Sequence, residues 1–188
     1  MTGNTNKYYK DIYKMNKQTI LIAAALVLFA VLSRFVPHPV NFTPIAALGL
    51  FAGAFMSYRR YWLLPLLALL LSDLFLGFYH WVSMLFVYLG FAGAAVIGRL
   101  VLSSKQSPLR IGGAAFASTN VFFILSNFGT WLSGTLYPLT FEGLAACYVA
   151  AIPFYPNSIA GDLFYSFLLF GLFALLQQTI SNKTTSTA

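Results

Sequence analysis

Asp73 and Asp162 occupy matching settings in two apolar runs, "LLSDLFLGF" (70–78) and "IAGDLFYSF" (159–167), each in the order small residue, Asp, Leu, Phe. The chain has only four acidic residues, so half of them lie in these runs. A carboxylate within a membrane costs on the order of 3 kcal/mol or more at mid-depth, and it is kept where it meets a partner, a watery cavity or a ligand. Three chemistries fit. The carboxylates can line a binding site. They can share a proton and activate water as an aspartyl hydrolase does, which requires contact within about 3–5 Å. Or they can brace the fold, Asp73 by pairing with Arg34 and Asp162 by capping free amides near the start of its helix.

The elements that carry them follow from composition. Of 188 residues, 59% are apolar, 18% aromatic and 8% charged, too little polar surface for a water-soluble domain. Long apolar stretches without strand-like alternation predict an all-α polytopic membrane bundle, since a helix satisfies its own backbone in lipid. About six transmembrane helices are expected, at 19–36, 44–57, 61–79, 81–103, 111–128 and 158–178. The second is short for a bilayer. Between the last two, "GLAACYVAAIPFY" ends in prolines (Pro153, Pro156) and reads as an interfacial or re-entrant helix near 143–155, or as a seventh short span. Residues 1–18 form a basic N-terminal segment, 19–178 a single transmembrane domain and 179–188 a polar tail. The basic start runs into the first span without a small-residue cleavage pattern, so that span is expected to stay in place.

Charge orients the bundle. The net charge is +7, and Lys7, Lys10, Lys14, Lys17, Arg59, Arg60, Arg99, Lys105, Arg110 and Lys183 all fall on one side of a six-span topology. The positive-inside rule makes that side, and both termini, cytoplasmic. The alternation explains the basic excess without nucleic acid, which would need a continuous basic patch. Arg34 alone lies opposite.

In this topology Asp73 and Asp162 stand at similar depth on oppositely directed helices, roughly 6–9 Å below the outer surface at 1.5 Å per residue. Arg34, His38, Asn41 and Thr43 in the first outer loop, His80 beside Trp81, and Asn127, Trp131, Tyr148 and Tyr155 fall at the same level. Aromatic walls with a few hydrogen-bonding groups suit a small planar ligand, and an aromatic belt at the headgroups is the alternative. The substrate-binding candidates are Arg34, His38, Asn41, Asp73, His80, Asn127, Trp131, Tyr148 and Asp162. Small residues at fourfold spacing, Gly49 with Gly53 and Gly90, Ala94 and Gly98, predict close packing between helices of the same chain.

"PHPVNFTPIAALGLFAGAF" (37–55), "LLSDLFLGFYH" (70–80), "SNFGTWLSGTLYP" (126–138) and "LAACYVAAIPFYPNSIAGDLFY" (144–165) resemble the signature blocks of a bacterial family of small six-helix membrane proteins described as transport proteins. More distantly, the size, the six spans and the Thr-Pro-Ile run before a small-residue helix resemble the S-components of energy-coupling-factor (ECF) vitamin transporters. That resemblance implies an S-component-like fold, a vitamin-like ligand taken from outside, and a transmembrane coupling subunit with two ATPases as partners. The chain lacks GxxxxGK[ST], so energy would come from such a partner or from a gradient. Cobalamin-type relatives suggest His80 or Cys147 as cobalt ligands, beside duller roles as a helix anchor and a core thiol.

The resulting expectation is a substrate-capturing component in the bacterial cytoplasmic (inner) membrane, with no enzymatic activity and no resident cofactor. An accessory subunit without a small-molecule site and an aspartyl hydrolase using Asp73 and Asp162 are the alternatives.

Overall fold

The computed structural model describes residues 17–56 and 61–186, with side chains described over 21–56 and 61–176. Residues 1–16 of the basic segment, Arg59 and Arg60 of the second connection, and residues 187–188 of the polar tail lie outside the described residues. The helices, in order, are α1 (Lys17–Ser33), α2 (Ile45–Phe55), α3 (Leu63–Leu76), α4 (Trp81–Ile97), α5 (Pro108–Leu132), α6 (Phe141–Ala151) and α7 (Tyr155–Ser186). A π-helical turn (Gly98–Leu102) prolongs α4, and a 3-10 turn (Ile152–Phe154) joins α6 to α7. Among the described residues all regular structure is helical.

Trp81–Leu102, Pro108–Leu132 and Phe141–Leu176 are long and apolar enough to cross a membrane, the mark of a membrane protein. Leu21–Ser33, Ile45–Phe55 and Leu63–Leu76 are apolar and shorter. Helix α2 rises only about 16 Å at 1.5 Å per residue. Its place explains how so short an apolar helix is kept: every residue from Ile45 to Ala54 is buried, so protein rather than lipid surrounds it. One side of α2 (Ile45, Leu48, Ala52) packs on Val27 and Ala30 of α1, Ala68 and Leu69 of α3, and Phe91 and Ala94 of α4. The other (Leu50, Phe51, Ala54) packs on Leu102, on Ala114 and Ala115 of α5, and on Leu169 and Phe170 of α7.

The small residues make this packing close. A Cβ on Gly49 would lie 3.1 Å from Ala94 Cβ, one on Gly53 would run into the Ala95 carbonyl, and one on Gly98 would overlap the Leu50 carbonyl. The backbones of α2 and α4 therefore touch directly, and the small-residue stripes serve contacts within the chain.

Local signals set several ends. Ser107 Oγ accepts from the Arg110 amide at the start of α5, with Pro108 in the first turn, and Thr140 Oγ1 accepts from the Gly143 amide at the start of α6. Gly77 ends α3 at φ 99°, a conformation that an L side chain strains to adopt. The helix expected near 143–155 is α6. Its prolines do not separate it from α7, because the 3-10 turn carries Pro153 and the first turn of α7 carries Pro156, where a missing N–H leaves no bond unmade. As a result α7 starts at Tyr155 rather than near 158, and Asp162 lies about two turns inside it. The proposed capping role of Asp162 at a helix start is corrected accordingly: at that depth the helix amides are already bonded.

Candidate functional site

Arg34 follows α1 and reaches α3. Its Nη1 donates to Asp73 Oδ1 at 2.6 Å and to Ser72 Oγ, and Ser72 in turn donates to the carbonyls of Ala68 and Leu69. The Tyr88 hydroxyl on α4 donates to Asp73 Oδ2 at 3.0 Å. Both oxygens of Asp73, which is 1% exposed, are thus engaged, and the ion pair ties the end of α1 to α3 and α4. A buried carboxylate with a cation on one oxygen and a hydroxyl on the other is a brace, held in place by its own partners.

Asp162 has a different setting. Thr119 Oγ1 on α5 donates to its Oδ2 at 2.6 Å, and this is its one hydrogen-bond donor among the described residues. Asp162 is 6% exposed, and that small exposure faces a cavity.

The cavity has a volume of about 430 Å³. Tyr79, Phe91 and Phe122 supply aromatic wall, Leu69, Leu76 and Val87 aliphatic wall, and Arg34, His38, Asn41, Thr43, Ser158 and Asp162 the polar groups. The rings of Phe91 and Phe122 lie 4.4 Å apart, centroid to centroid. Tyr79, in the turn after α3, adds a phenol hydroxyl to the same wall. The loop between α1 and α2 closes one side. It turns at Asn41 (φ 66°), a residue type that tolerates left-handed backbone, and the Thr43 amide donates back to the Asn41 carbonyl at 3.1 Å. His38 Nδ1 lies 2.8 Å from the Pro39 carbonyl, which only an N–H can satisfy.

The matching small-Asp-Leu-Phe settings serve different purposes. Ser72, before Asp73, receives a hydrogen bond from Arg34. Gly161, before Asp162, lets the loop pass: a Cβ there would come within 2.9 Å of Phe42 Cα.

Of the substrate-binding candidates, Arg34, His38, Asn41 and Asp162 line the cavity, and Asp73 stands behind Arg34. The others lie elsewhere. Trp131 Nε1 donates to the Pro138 carbonyl and fixes the turn between α5 and α6; the Tyr148 hydroxyl donates to the Ile124 carbonyl across the same pair. Asn127 bonds within α5 to the Phe123 carbonyl. His80 is exposed and stacks beside Trp81, while Cys147 is buried with its thiol 3.4 Å from the Asn127 carbonyl. Neither lines the cavity. No group of three or more His, Cys, Asp or Glu placed to hold a metal occurs among the described residues.

Residues 14–184 match a protein family described as a family of unknown function, DUF6580. The chain belongs to this family. The match spans the blocks at 37–55, 70–80, 126–138 and 144–165 and every residue of the DUF6580 cavity. No curated protein and no solved structure matches the chain.

Sequence reasoning missed Thr119, Tyr88, Phe91 and Phe122 in this DUF6580 chain. Thr119 had a signal, since Ser118, Thr119 and Asn120 form a polar triplet inside an apolar helix, and Tyr88 is the one hydroxyl-bearing ring of α4. Phe91 and Phe122 stand among many phenylalanines and had none.

Proposed function

We propose that this protein is a solute-binding membrane component, taking up a small heterocyclic, vitamin-like compound in the outer half of its bundle. The observation that carries this reading is the cavity at the Arg34 end: aromatic and aliphatic walls, a few polar groups, and a buried carboxylate facing in. Its volume, about 430 Å³, lies within the range of small-molecule sites and suits a ligand of one or two rings rather than a corrin. The chain is proposed to cross the bacterial cytoplasmic membrane six times with both termini inside, which puts the cavity at the outer face. The placement of basic residues supports that orientation. Enclosure of α2 by other helices and local thinning would accommodate the short spans.

The S-component resemblance fits a cavity covered by the loop after the first helix, and it makes a coupling subunit with ATPases the proposed energy source. The separate partners of Asp73 and Asp162 favour binding over the hydrolase reading, since a shared-proton dyad needs both carboxylates free for each other.

Mass spectrometry of small molecules released from detergent-purified protein tests this. A stoichiometric heterocycle is expected from wild type and not from Asp162→Ala. An empty wild type that also fails to fill with candidate vitamins would transfer the assignment to an accessory subunit.

A further inference from the structure

We infer that the ligand presents a protonated nitrogen, an amine, amidinium or protonated ring N–H, and that Asp162 is the group that recognises it. The inference rests on the solute-binding reading and narrows the chemical class of the solute.

Charge at the cavity is unevenly matched. The Arg34 guanidinium is answered by Asp73 at 2.6 Å, with Ser72 and Tyr88 completing that cluster. Asp162 has Thr119 and nothing else among the described donors. Thr119 has a single proton, shared between Asp162 Oδ2 at 2.6 Å and the Ala115 carbonyl at 3.0 Å, so Oδ1 has no donor among the described residues. A carboxylate this deep is costly without a partner, whereas a cation brought by the ligand would form a charge-assisted hydrogen bond to Oδ1. The surroundings suit the same ligand: Phe91, Phe122 and Tyr79 put aromatic rings on the wall, and aromatic rings attract cations and stack on planar ones. A ligand with an acidic group in that place would set two like charges together.

Three planar probes of nearly equal size test the charge: benzamidine (cationic), benzamide (neutral) and benzoate (anionic). Melting of the detergent-purified protein is followed at rising probe concentration, beside identification of the co-purified compound. Benzamidine is expected to stabilise wild type, benzamide less and benzoate not at all. Asp162→Asn should fold, since it removes an unpaired buried charge, and should lose roughly 10- to 100-fold in benzamidine affinity. Thr119→Val, which keeps the carboxylate, should still prefer benzamidine.

Equal responses to the three probes, an undiminished benzamidine response in Asp162→Asn, or a co-purified compound without a basic nitrogen would overturn the inference and leave the solute-binding reading standing. Stabilisation by sodium alone that vanishes in Asp162→Asn would assign the carboxylate to an ion and also overturn it. No released compound and no response to any probe would remove both.

Discussion

Gly161 on α7 lies directly beneath Phe42: a Cβ on Gly161 would come within 2.9 Å of Phe42 Cα and 3.3 Å of the Thr43 amide nitrogen. The loop that closes the cavity rests on a helix with no side chain at the point of contact, one residue before the carboxylate that faces in. Two of the three neighbouring atoms, the nearest among them, belong to backbone, so the loop itself must move if anything larger is placed there. Gly161→Val should lower stability by about 1–3 kcal/mol, as overpacking does, and deplete the co-purified ligand. Gly113→Ala, where a Cβ meets nothing within 4 Å, serves as the control and should leave both unchanged or slightly raise melting. Equal behaviour of the two variants in thermal melting would refute the packing argument.

Removing one partner of the Arg34–Asp73 pair leaves the other charge in an apolar setting. Arg34→Ala and Asp73→Ala should each destabilise by about 3–5 kcal/mol, with Asp73→Ala at the lower end because the Arg34 side chain it leaves behind keeps 21% exposure. Arg34→Met with Asp73→Leu should recover much of the loss. A double-mutant cycle from melting curves checks this, and additive losses would deny the pair its bracing role.

The crossing of α2 and α4 allows no methyl group at Gly98. Gly98→Ala would drive a Cβ into the Leu50 carbonyl, so yield and melting temperature should fall sharply. Trimming Leu50 to Ala should not rescue it, because the collision is with backbone. Full rescue by that trimming would show the contact to be a side-chain one.

Buried hydroxyls around Asp162 divide into used and unused. Ser118 Oγ and Ser166 Oγ are buried with no hydrogen-bond partner among the described residues, so Ser118→Ala and Ser166→Ala should be neutral or stabilising by up to about 1 kcal/mol. Thr119→Val takes the single donor from Asp162 and should cost about 1.5–3 kcal/mol. Thermal melting of the three variants tests the division. A loss in the serine variants as large as that in Thr119→Val would mean that those hydroxyls have partners in the working protein.

In a Cys147→Ser background, a cysteine replacing Val40 should react with a membrane-impermeant maleimide added outside intact cells, and one replacing Lys105 only after lysis. Labelling on the same side at both positions would overturn the six-span orientation.

How much of the site was legible depended on partners rather than on depth. The Arg34–Asp73 pair was accessible to sequence reasoning because Arg34 is the one basic residue that the expected topology sets apart from the others, on the side of a carboxylate in an apolar run. The partner of Asp162 was not, because the polar triplet at 118–120 marks a point on an apolar helix without saying that one of its residues meets a carboxylate 43 positions away. Asn127, Trp131 and Tyr148 do not line the cavity: Trp131 and Tyr148 hold α5 to α6 and to the turn between them, and the Asn127 side chain bonds within α5.

Sequence alone determined that the chain is helical and built for a membrane, that two carboxylates sit within apolar helices, and that small residues let helices approach closely. Apolar content and the need to satisfy every backbone group dictate these, whatever the arrangement. Only the tertiary structure decided that Asp73 braces while Asp162 opens on a cavity, and that the loop at Phe42 settles on Gly161. Residue spacing sets the height of a side chain along its helix, but helices apolar on nearly every side carry little record of their rotation, and rotation selects which groups of equal height meet.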